Sequence, residues 1–300
     1  MIIPKFLSEG DKVGIVATAN KVNKDNTIHG IEVLKSWGLE VKVGKFVFHT
    51  FHQFSGTDEQ RAEDLQNMIN DHEVKAIFMV RGGYGSTRII DQINFSSLHE
   101  YPKWICGFSD ITAFHLHLLN LGIAGIHSPM PSFLHALNQQ SLQRFHDLIF
   151  GKKMSYINDN HKFNNHGVAA GKLTGGNLSI ICNTIGTNSE IKTRGQIMFI
   201  EDVGEKLYHL DRMMVQLKRA GFLKHLAGLI VGQFSDMKDD DDSFGFDAYE
   251  IIYTHTRDYG YPVAYDFPIG HTSDNHAIPV GVVAKLTVDS KGSTLNLYST

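Results

Sequence analysis

The chain has 300 residues, of which 42% are hydrophobic and 20% are charged. This composition provides enough apolar mass for a core, and the length suits two domains of about 100–200 residues each. The formal net charge is −4 and no basic stripe stands out, which argues against nucleic acid as a partner.

Residue usage disfavours several other classes of protein. The two cysteines, Cys106 and Cys182, are too few for a disulfide framework. The 17 histidines are scattered, without an H-E-x-x-H or C-x-x-C pairing, so we expect no metal and no other cofactor. No apolar run approaches the length of a membrane span, about 18 residues, and the first residues lack the pattern of a signal peptide. We therefore expect a cytoplasmic protein without membrane contact.

The first half alternates between strand and helix patterns. Short apolar runs rich in β-branched residues predict strands, and helical spacing of apolar residues predicts helices. The predicted strands are 12–19, 39–46, 75–80, 103–108 and 125–130, and the predicted helices are 27–37, 58–71 and 110–121. This alternation indicates βαβ units in a mainly parallel sheet, where ligands bind at the carboxyl ends of strands.

A polar segment, residues 151–168, is predicted to connect a domain at 1–150 with a second domain at 169–300. The second half has a more mixed pattern. A turn that continues as a helix is predicted at 175–186, further helices at 207–220 and 246–257, strands at 196–201, 226–234 and 261–267, and a hairpin at 282–299 that turns at 289–292.

The segment CGFSDIT at 106–112 places Ser109 between a predicted strand and a predicted helix. A strand–turn–helix exposes a hydroxyl above the sheet edge and aims the amides of the first helical turn at whatever the serine attacks. The elbow pattern G-x-S-x-G is incomplete, because Ile111 occupies the position of its second glycine. The sequence leaves open that Ser109 or Asp110 only caps a helix.

The segment RGGYGS at 81–86 follows another predicted strand. Adjacent glycines let the backbone approach a ligand closely and leave N–H donors free. The segment would form half of an oxyanion hole, a phosphate-binding turn, or simply a tight turn before a helix. It is not a P-loop, because no G-K-[ST] follows.

Two segments of the second half offer a proton-transfer pair. His271 follows a predicted strand, and an imidazole titrates near neutral pH. A carboxylate is needed to orient such a base, and Glu201 and Asp202 end an apolar strand where acids are costly unless solvated or paired. Solvated surface positions are the alternative for all three residues.

Together these segments resemble the LD-carboxypeptidase family, which also contains the microcin-immunity peptidases. The resemblance covers nearly the whole chain, because several short motifs occur in the family's order. They are GDKVGIVA at 10–17, RGGYGS at 81–86, GFSD at 107–110, GGNL at 175–178, Glu201-Asp202 with Tyr208, Asp211 and Arg212, and Gly270-His271 with Asn275 and PVG at 279–281. Thr272 departs from the pattern, since small residues such as glycine are common after the family's histidine.

The resemblance implies a serine peptidase with a triad of Ser109, Glu201 and His271. It implies an α/β fold, with an N-terminal, mainly parallel sheet sandwiched by helices that carries the serine. A smaller, mixed α/β C-terminal domain would carry the glutamate and the histidine. The implied substrate is a murein tetrapeptide, which loses its terminal D-alanine in peptidoglycan recycling. A homodimer is also implied.

The implied reaction adds candidates for substrate contacts. The main-chain N–H groups of Gly83 and Asp110 would form the oxyanion hole. The free carboxylate of the substrate needs a cationic or N–H-rich subsite, for which Arg81 is the candidate, with a structural role as the alternative. Asn177 would either bind the substrate backbone or cap a helix.

Two other functions stay open. A microcin-immunity-type peptidase would cleave a peptidyl-nucleotide conjugate and would need an aromatic platform for the base, which the sequence does not locate. An α/β protein that binds a nucleotide or sugar phosphate at residues 81–86 would keep its ligand when Ser109 is lost, and Ser109 would not react with a serine-directed probe.

Overall fold

The computed structural model describes residues 1–298, which fall into two compact units. Unit 1 contains Met1–Lys152 and His276–Gly281, and unit 2 contains Lys153–Asn275 and the residues from Val282 onward. No helix in residues 1–298 is both long and apolar enough to cross a bilayer.

Helices and strands alternate along most of the chain. The α-helices are α1 (Lys24–Ser36), α2 (Asp58–Asn70), α3 (Ser86–Ile89), α4 (Thr112–Asn120), α5 (Gln139–Ile149), α6 (Leu178–Asn183), α7 (Leu207–Arg219) and α8 (Ala248–Thr256). The strands are β1 (Lys12–Val16), β2 (Glu40–Val43), β3 (Val74–Met79), β4 (Trp104–Gly107), β5 (Gly125–His127), β6 (Ser155–Asp159), β7 (Gly167–Asn177), β8 (Ile197–Val203), β9 (Gly228–Ser235), β10 (Val263–Ala264), β11 (Ile278–Val280), β12 (Val283–Asp289) and β13 (Gly292–Leu297).

The sheet of unit 1 has the strand order β11-β5-β4-β3-β1-β2. Its pairs are parallel except for β11 with β5. The inner strands are almost wholly buried, which explains their continuous apolar sequences, whereas β2 at the edge is largely exposed. Helix α2 packs on β1 and β3, and α4 packs on β5. The predicted α/β class with a mainly parallel N-terminal sheet is confirmed.

Parallel pairing brings the carboxyl ends of β1, β3 and β4 to one edge of this sheet. Asn20, the glycine-rich residues 81–85 and Ser109 follow these three strands. Helix α2 begins nearby with a capping box, in which the side chain of Thr57 accepts from the Gln60 N–H and the side chain of Gln60 accepts from the Thr57 N–H. This cap fixes the first turn of α2, which carries Arg61.

The sheet of unit 2 has the strand order β10-β9-β8-β7-β12-β13-β6. The pairs from β7 to β10 are parallel, and the pairs from β7 through β12 and β13 to β6 are antiparallel. The hairpin of β12 and β13 confirms the predicted one, and its turn lies between Asp289 and Gly292. Ser299, the last residue of the predicted hairpin, lies outside the described residues.

Three segments differ from the expectation. Gly175 and Gly176, predicted as a turn before a helix, lie inside β7 with φ of 135° and 140°. Residues 151–168, predicted as a connection, contain β6 and the start of β7. Residues 276–281 lie in unit 1 although the predicted second domain includes them, because β11 pairs with β5. Pairing between strands distant in sequence leaves no local pattern.

Candidate active site

Ser109 occupies a strained turn between β4 and α4. Its φ is 62°, in the left-handed region that non-glycine residues seldom adopt. Ser109–Ile111 forms one 3-10 turn that leads directly into α4. The strand–turn–helix predicted from the sequence is therefore present, and a strained residue of this kind is typical of a nucleophile elbow.

A buried histidine anchors this turn from below. The Nε2–H of His115, in α4, donates to the carbonyl of Gly107 over 2.8 Å. His115 is only 1% exposed, and burial lowers its pKa to about 4, so the ring is neutral at physiological pH. The bond ties α4 to the end of β4, immediately before the serine.

The glycine turn, residues 81–85, passes directly over Ser109. A Cβ added to Gly82 would lie 3.1 Å from Ser109 Cβ, 3.3 Å from its Oγ and 3.5 Å from the Asp110 nitrogen. Gly83 has a φ of 107°, and a Cβ there would lie 2.4 Å from Asn20 Nδ2. Gly83 thus has a backbone conformation and a close neighbour that both favour glycine, whereas a Cβ on Gly82 would fit only if Ser109 moved by a few tenths of an ångström. Unit 1 brings Gly82 of this turn against Ser109 and the Asp110 nitrogen.

Asn20 holds the outer side of the glycine turn. Its side-chain Oδ1 accepts from the Tyr84 N–H over 3.3 Å, and its own N–H donates to the Gly82 carbonyl over 3.4 Å. Sequence reasoning missed Asn20. Its position just after the apolar strand β1 was the available signal, because the carboxyl ends of parallel strands collect functional groups.

Arg81 begins the glycine turn and is half-buried. Its Nη1 donates to the Lys21 carbonyl over 3.1 Å. This bond fastens the start of the turn to the segment after β1, so Arg81 has a structural contact in addition to its predicted role at a substrate carboxylate.

In unit 2 the predicted acid and base meet. Nδ1 of His271 lies 2.8 Å from Glu201 Oε2, although 70 residues separate them along the chain. The Glu201 side chain is fully buried and that of His271 is 19% exposed. The other carboxylate oxygen, Oε1, has no hydrogen-bond partner within residues 1–298. The buried carboxylate therefore depends on the imidazole for its compensation.

The environment of His271 favours its charged form. Burial alone would lower its pKa, but the charge and hydrogen bond of Glu201, together with the charge of Asp202, raise it above the ordinary value. Because the carboxylate accepts from Nδ1, the Nε2 of the neutral ring is left as the basic nitrogen. This arrangement suits a general base that stores a proton during a reaction.

The loop around His271 is braced on two sides. The Gly270 N–H donates to Asn275 Oδ1 over 3.2 Å, and the Thr272 hydroxyl donates to Gln233 Oε1. Thr272, which departs from the family pattern, is thus used to attach the loop to β9. These contacts restrict the position of the imidazole between them.

Asp202 and Asn177 form a second buried pair beside Glu201. Asn177 Nδ2 donates to Asp202 Oδ1 over 2.8 Å, while Asn177 Oδ1 accepts from the Ile180 N–H and so caps α6. Burial, and then the charge of Glu201, raise the pKa of Asp202 to about 7. Asn177 is 5% exposed and has the capping contact that was one of its two predicted roles.

No group of three or more His, Cys, Asp or Glu side chains within residues 1–298 is arranged to hold a metal ion.

Comparisons with known proteins show the family to which the chain belongs. The model of the LD-carboxypeptidase N-terminal domain matches residues 13–128, and that of the LD-carboxypeptidase C-terminal domain matches residues 170–286. The chain belongs to the LD-carboxypeptidase family. A relative from Bacillus subtilis, named "Probable murein peptide carboxypeptidase", is 34% identical over 97% of this chain and 93% of its own length.

Two solved structures of the LD-carboxypeptidase type of fold are similar to this one. The muramoyltetrapeptide carboxypeptidase from Oxalobacter formigenes superimposes with a TM-score of 0.86 and 29% identity over 96% of this chain and 100% of that one. The microcin C7 self-immunity protein MccF, in complex with aspartyl sulfamoyl adenosine, has a TM-score of 0.87 over 99% and 98% of the two chains. At 20% identity, MccF shows a shared fold alone.

Proposed function

We propose that this LD-carboxypeptidase is a serine peptidase that releases the terminal D-alanine from murein tetrapeptide. The observation that carries the proposal is the buried pair of Glu201 and His271, joined at 2.8 Å. A fully buried carboxylate on one imidazole nitrogen is the arrangement that a Ser–His–acid mechanism requires. The names of the B. subtilis relative and of the O. formigenes enzyme support murein peptide as the substrate class.

In the proposed reaction Ser109 attacks the carbonyl of the amide before the terminal D-residue. His271 Nε2 takes the hydroxyl proton as the oxygen–carbon bond forms, and Glu201 stabilises the resulting imidazolium. The raised pKa of His271 favours this protonated state. The N–H groups of Gly83 and Asp110 hold the negative oxygen of the tetrahedral intermediate, and each such donor lowers the barrier by about 2.7–4 kcal/mol.

The intermediate collapses when the carbon–nitrogen bond breaks. His271 gives its proton to the departing amine, and D-alanine leaves. Water then attacks the acyl-serine with His271 again acting as base, which restores Ser109 and frees the shortened peptide. Arg81 is proposed to hold the carboxylate of the terminal residue, and Asn177 to contact the substrate backbone.

The biological setting is part of the same proposal. A cytoplasmic homodimer acting in peptidoglycan recycling fits a peptidase whose substrate is a free murein peptide.

A microcin-immunity-type activity is the second candidate, and one exposed side chain favours it. Tyr84, at the tip of the glycine turn, is 46% exposed. An aromatic ring at this position offers a surface on which a nucleobase would stack. The similarity in fold to MccF is compatible with this activity.

A phosphate-binding role for the glycine turn is disfavoured by its contacts. Its Tyr84 N–H is bound by Asn20, and the next N–H, of Ser86, donates to the buried carboxylate of Asp110 over 2.8 Å. A carboxylate at this position takes up a donor that a phosphate would need and repels an anion.

The test compares three substrates with purified protein. We expect D-alanine release from a murein tetrapeptide, none from the same peptide ending in L-alanine, and slower cleavage of aspartyl sulfamoyl adenosine. Ser109→Ala should fold normally and lose turnover by about 10⁴-fold or more, because the nucleophile is gone. Preferred cleavage of the adenosine conjugate would favour the second candidate, and near-normal D-alanine release by Ser109→Ala would reject the serine mechanism.

A further inference from the structure

The side chain of Asp110, the residue directly after Ser109, contacts the end of the glycine turn. It is 1% exposed, and its Oδ2 accepts the N–H of Ser86 over 2.8 Å. Ser86 is the first residue of α3, directly after the glycine turn. A hydrogen bond therefore joins the residue that follows the nucleophile to the residue that follows the turn.

This carboxylate is placed at a free-energy cost. Burial raises the pKa of Asp110, and its Oδ1 has no hydrogen-bond partner within residues 1–298. Hydrogen bonds from Ser86 and Gly85 and the charge of Arg61 offset part of this rise in the pKa. A half-satisfied buried carboxylate destabilises a fold, so its remaining contact is expected to serve a purpose other than stability.

A second buried side chain holds the same turn from the other side. Nη1 of Arg61, in α2, donates to the Gly85 carbonyl over 3.0 Å and to the Thr18 carbonyl. The side chain of Arg61 is fully buried and is paired with Asp58. Three side chains thus hold the glycine turn. Asn20 binds it at Tyr84, Arg61 binds it at Gly85, and Asp110 binds the next residue, Ser86.

We propose that the Asp110 carboxylate is a positioning residue, which holds the glycine turn over Ser109 so that the Gly83 and Asp110 N–H groups stay aimed at one point. This inference rests on the proposed function, because the point in question is where the oxyanion of the acyl transfer would develop. Two donors carried by different segments converge only if those segments are fixed to each other. The Asp110–Ser86 bond is that fixation.

Asp64 provides a matched control in the same unit. It is also a buried aspartate, 3% exposed, and its two oxygens accept the N–H groups of Lys45 and Phe46 over 2.9 and 2.8 Å. Its bonds fix the segment after the edge strand β2 and not the glycine turn. Asp64→Ala therefore removes the same kind of contact with a comparable loss of stability.

The experiment compares Asp110→Ala, Asp110→Asn and Asp64→Ala with wild type. We expect Asp110→Ala to lower kcat for D-alanine release by about 10–100-fold with KM within about threefold, since the loss concerns the transition state. Asp110→Asn keeps an oxygen for the Ser86 N–H and should recover most of kcat. Asp64→Ala should lower the Tm similarly but leave kcat within about threefold.

A second measurement is independent of the peptide substrate. The rate at which a fluorophosphonate labels Ser109 depends on the same N–H donors, so Asp110→Ala should label about 10-fold or more slowly than Asp64→Ala. Equal labelling and equal kcat in these two variants would overturn the positioning role. Labelling of the wild type without D-alanine release would overturn the proposed substrate. The labelling rates of Asp110→Ala and Asp64→Ala would still test the positioning role of Asp110. If the fluorophosphonate does not label Ser109 in the wild type, both the proposed serine mechanism and the positioning role of Asp110 are overturned.

Discussion

The proposed catalytic groups form two sets, a first half in unit 1 and a second half in unit 2, and the two are built differently. Around Ser109 the structure relies on backbone: a left-handed serine, glycines whose Cβ atoms would collide with their neighbours, and side chains that bind main-chain groups. Around His271 it relies on side-chain charge, since a fully buried Glu201 is compensated by one imidazole. Backbone geometry therefore determines the arrangement of the first half, and electrostatic interactions determine that of the second.

This difference determines how each half should fail. A site built from backbone groups fails when the backbone moves. It is sensitive to a change of side-chain charge only where that side chain holds the backbone in place. A charge-built site fails when one partner is neutralised, even if no atom moves. Substitutions of similar size should therefore change different observables in the two units.

The largest effect is expected from Glu201→Gln. The amide keeps the volume of the side chain but removes the charge that stabilises the imidazolium, so kcat should fall by on the order of 10³–10⁴-fold. Glu205→Gln is the control, because Glu205 also contacts a histidine Nδ1, that of His209, over 2.8 Å but on the surface. An exposed pair of this kind contributes little, and we expect nearly unchanged kcat.

The pH–rate profile of the same variants sharpens this prediction. The base must be neutral, so the rate falls as the pH drops through the His271 pKa, which is raised above 6.5 in the wild type. In Glu201→Gln the main raising causes are gone while burial remains, so the acidic limb should move to lower pH. An unmoved limb with a wild-type rate would show that Glu201 does not orient the base.

A smaller effect is expected when the backbone of the first half is moved. Gly83→Ala places a Cβ 2.4 Å from Asn20 Nδ2 at a φ of 107°, so the turn or the Asn20 side chain that holds it must shift. We expect kcat to fall by about 10²-fold, through displacement of one oxyanion donor, with little change in the pH–rate profile. Steady-state kinetics across pH separates this result from that of Glu201→Gln.

Gly122→Ala is the control for backbone strain. Gly122 also has a positive φ, 79°, but an added Cβ would meet nothing within 4 Å. Both variants should lose about 1 kcal/mol of stability from the unfavourable φ. If Gly122→Ala reduced kcat as much as Gly83→Ala, the loss would come from general destabilisation, and Gly83 would not carry a donor.

The same contrast explains what the sequence could and could not predict. Buried parallel strands are continuous apolar runs, so β1, β3 and β4 and the residues after them were recognisable, and with them Ser109. The prediction of a turn at Gly175 and Gly176 was wrong, because paired glycines usually occur in turns. In β7 they instead permit close backbone approach, since a Cβ on Gly175 would lie 1.9 Å from the Phe199 carbonyl oxygen.

Contacts between distant residues were beyond reach for a different reason. The bond between Glu201 and His271 spans 70 residues. The residues alone left open which of Glu201 and Asp202 would orient the imidazole, and the family resemblance indicated Glu201. The bond between Asp110 and Ser86 spans 24 residues and was not foreseen, because a buried carboxylate and a helix cap look alike in sequence. Sequence indicates which chemical groups end a strand, whereas strand order and register decide which of them meet.

The smallest effect is expected for Asn177→Ala, which tests whether a cap beside the charge-built half affects catalysis. The variant loses the bond to the Ile180 N–H and leaves Asp202 without its Asn177 donor. Losing a cap costs about 1 kcal/mol of stability. The control is Asp247→Ala, which removes the exposed cap of α8. The urea midpoint of Asn177→Ala should fall further than that of the control, because a buried carboxylate also loses a donor. If KM rises more than tenfold, Asn177 also binds substrate; if KM and kcat match those of Asp247→Ala, its role is structural.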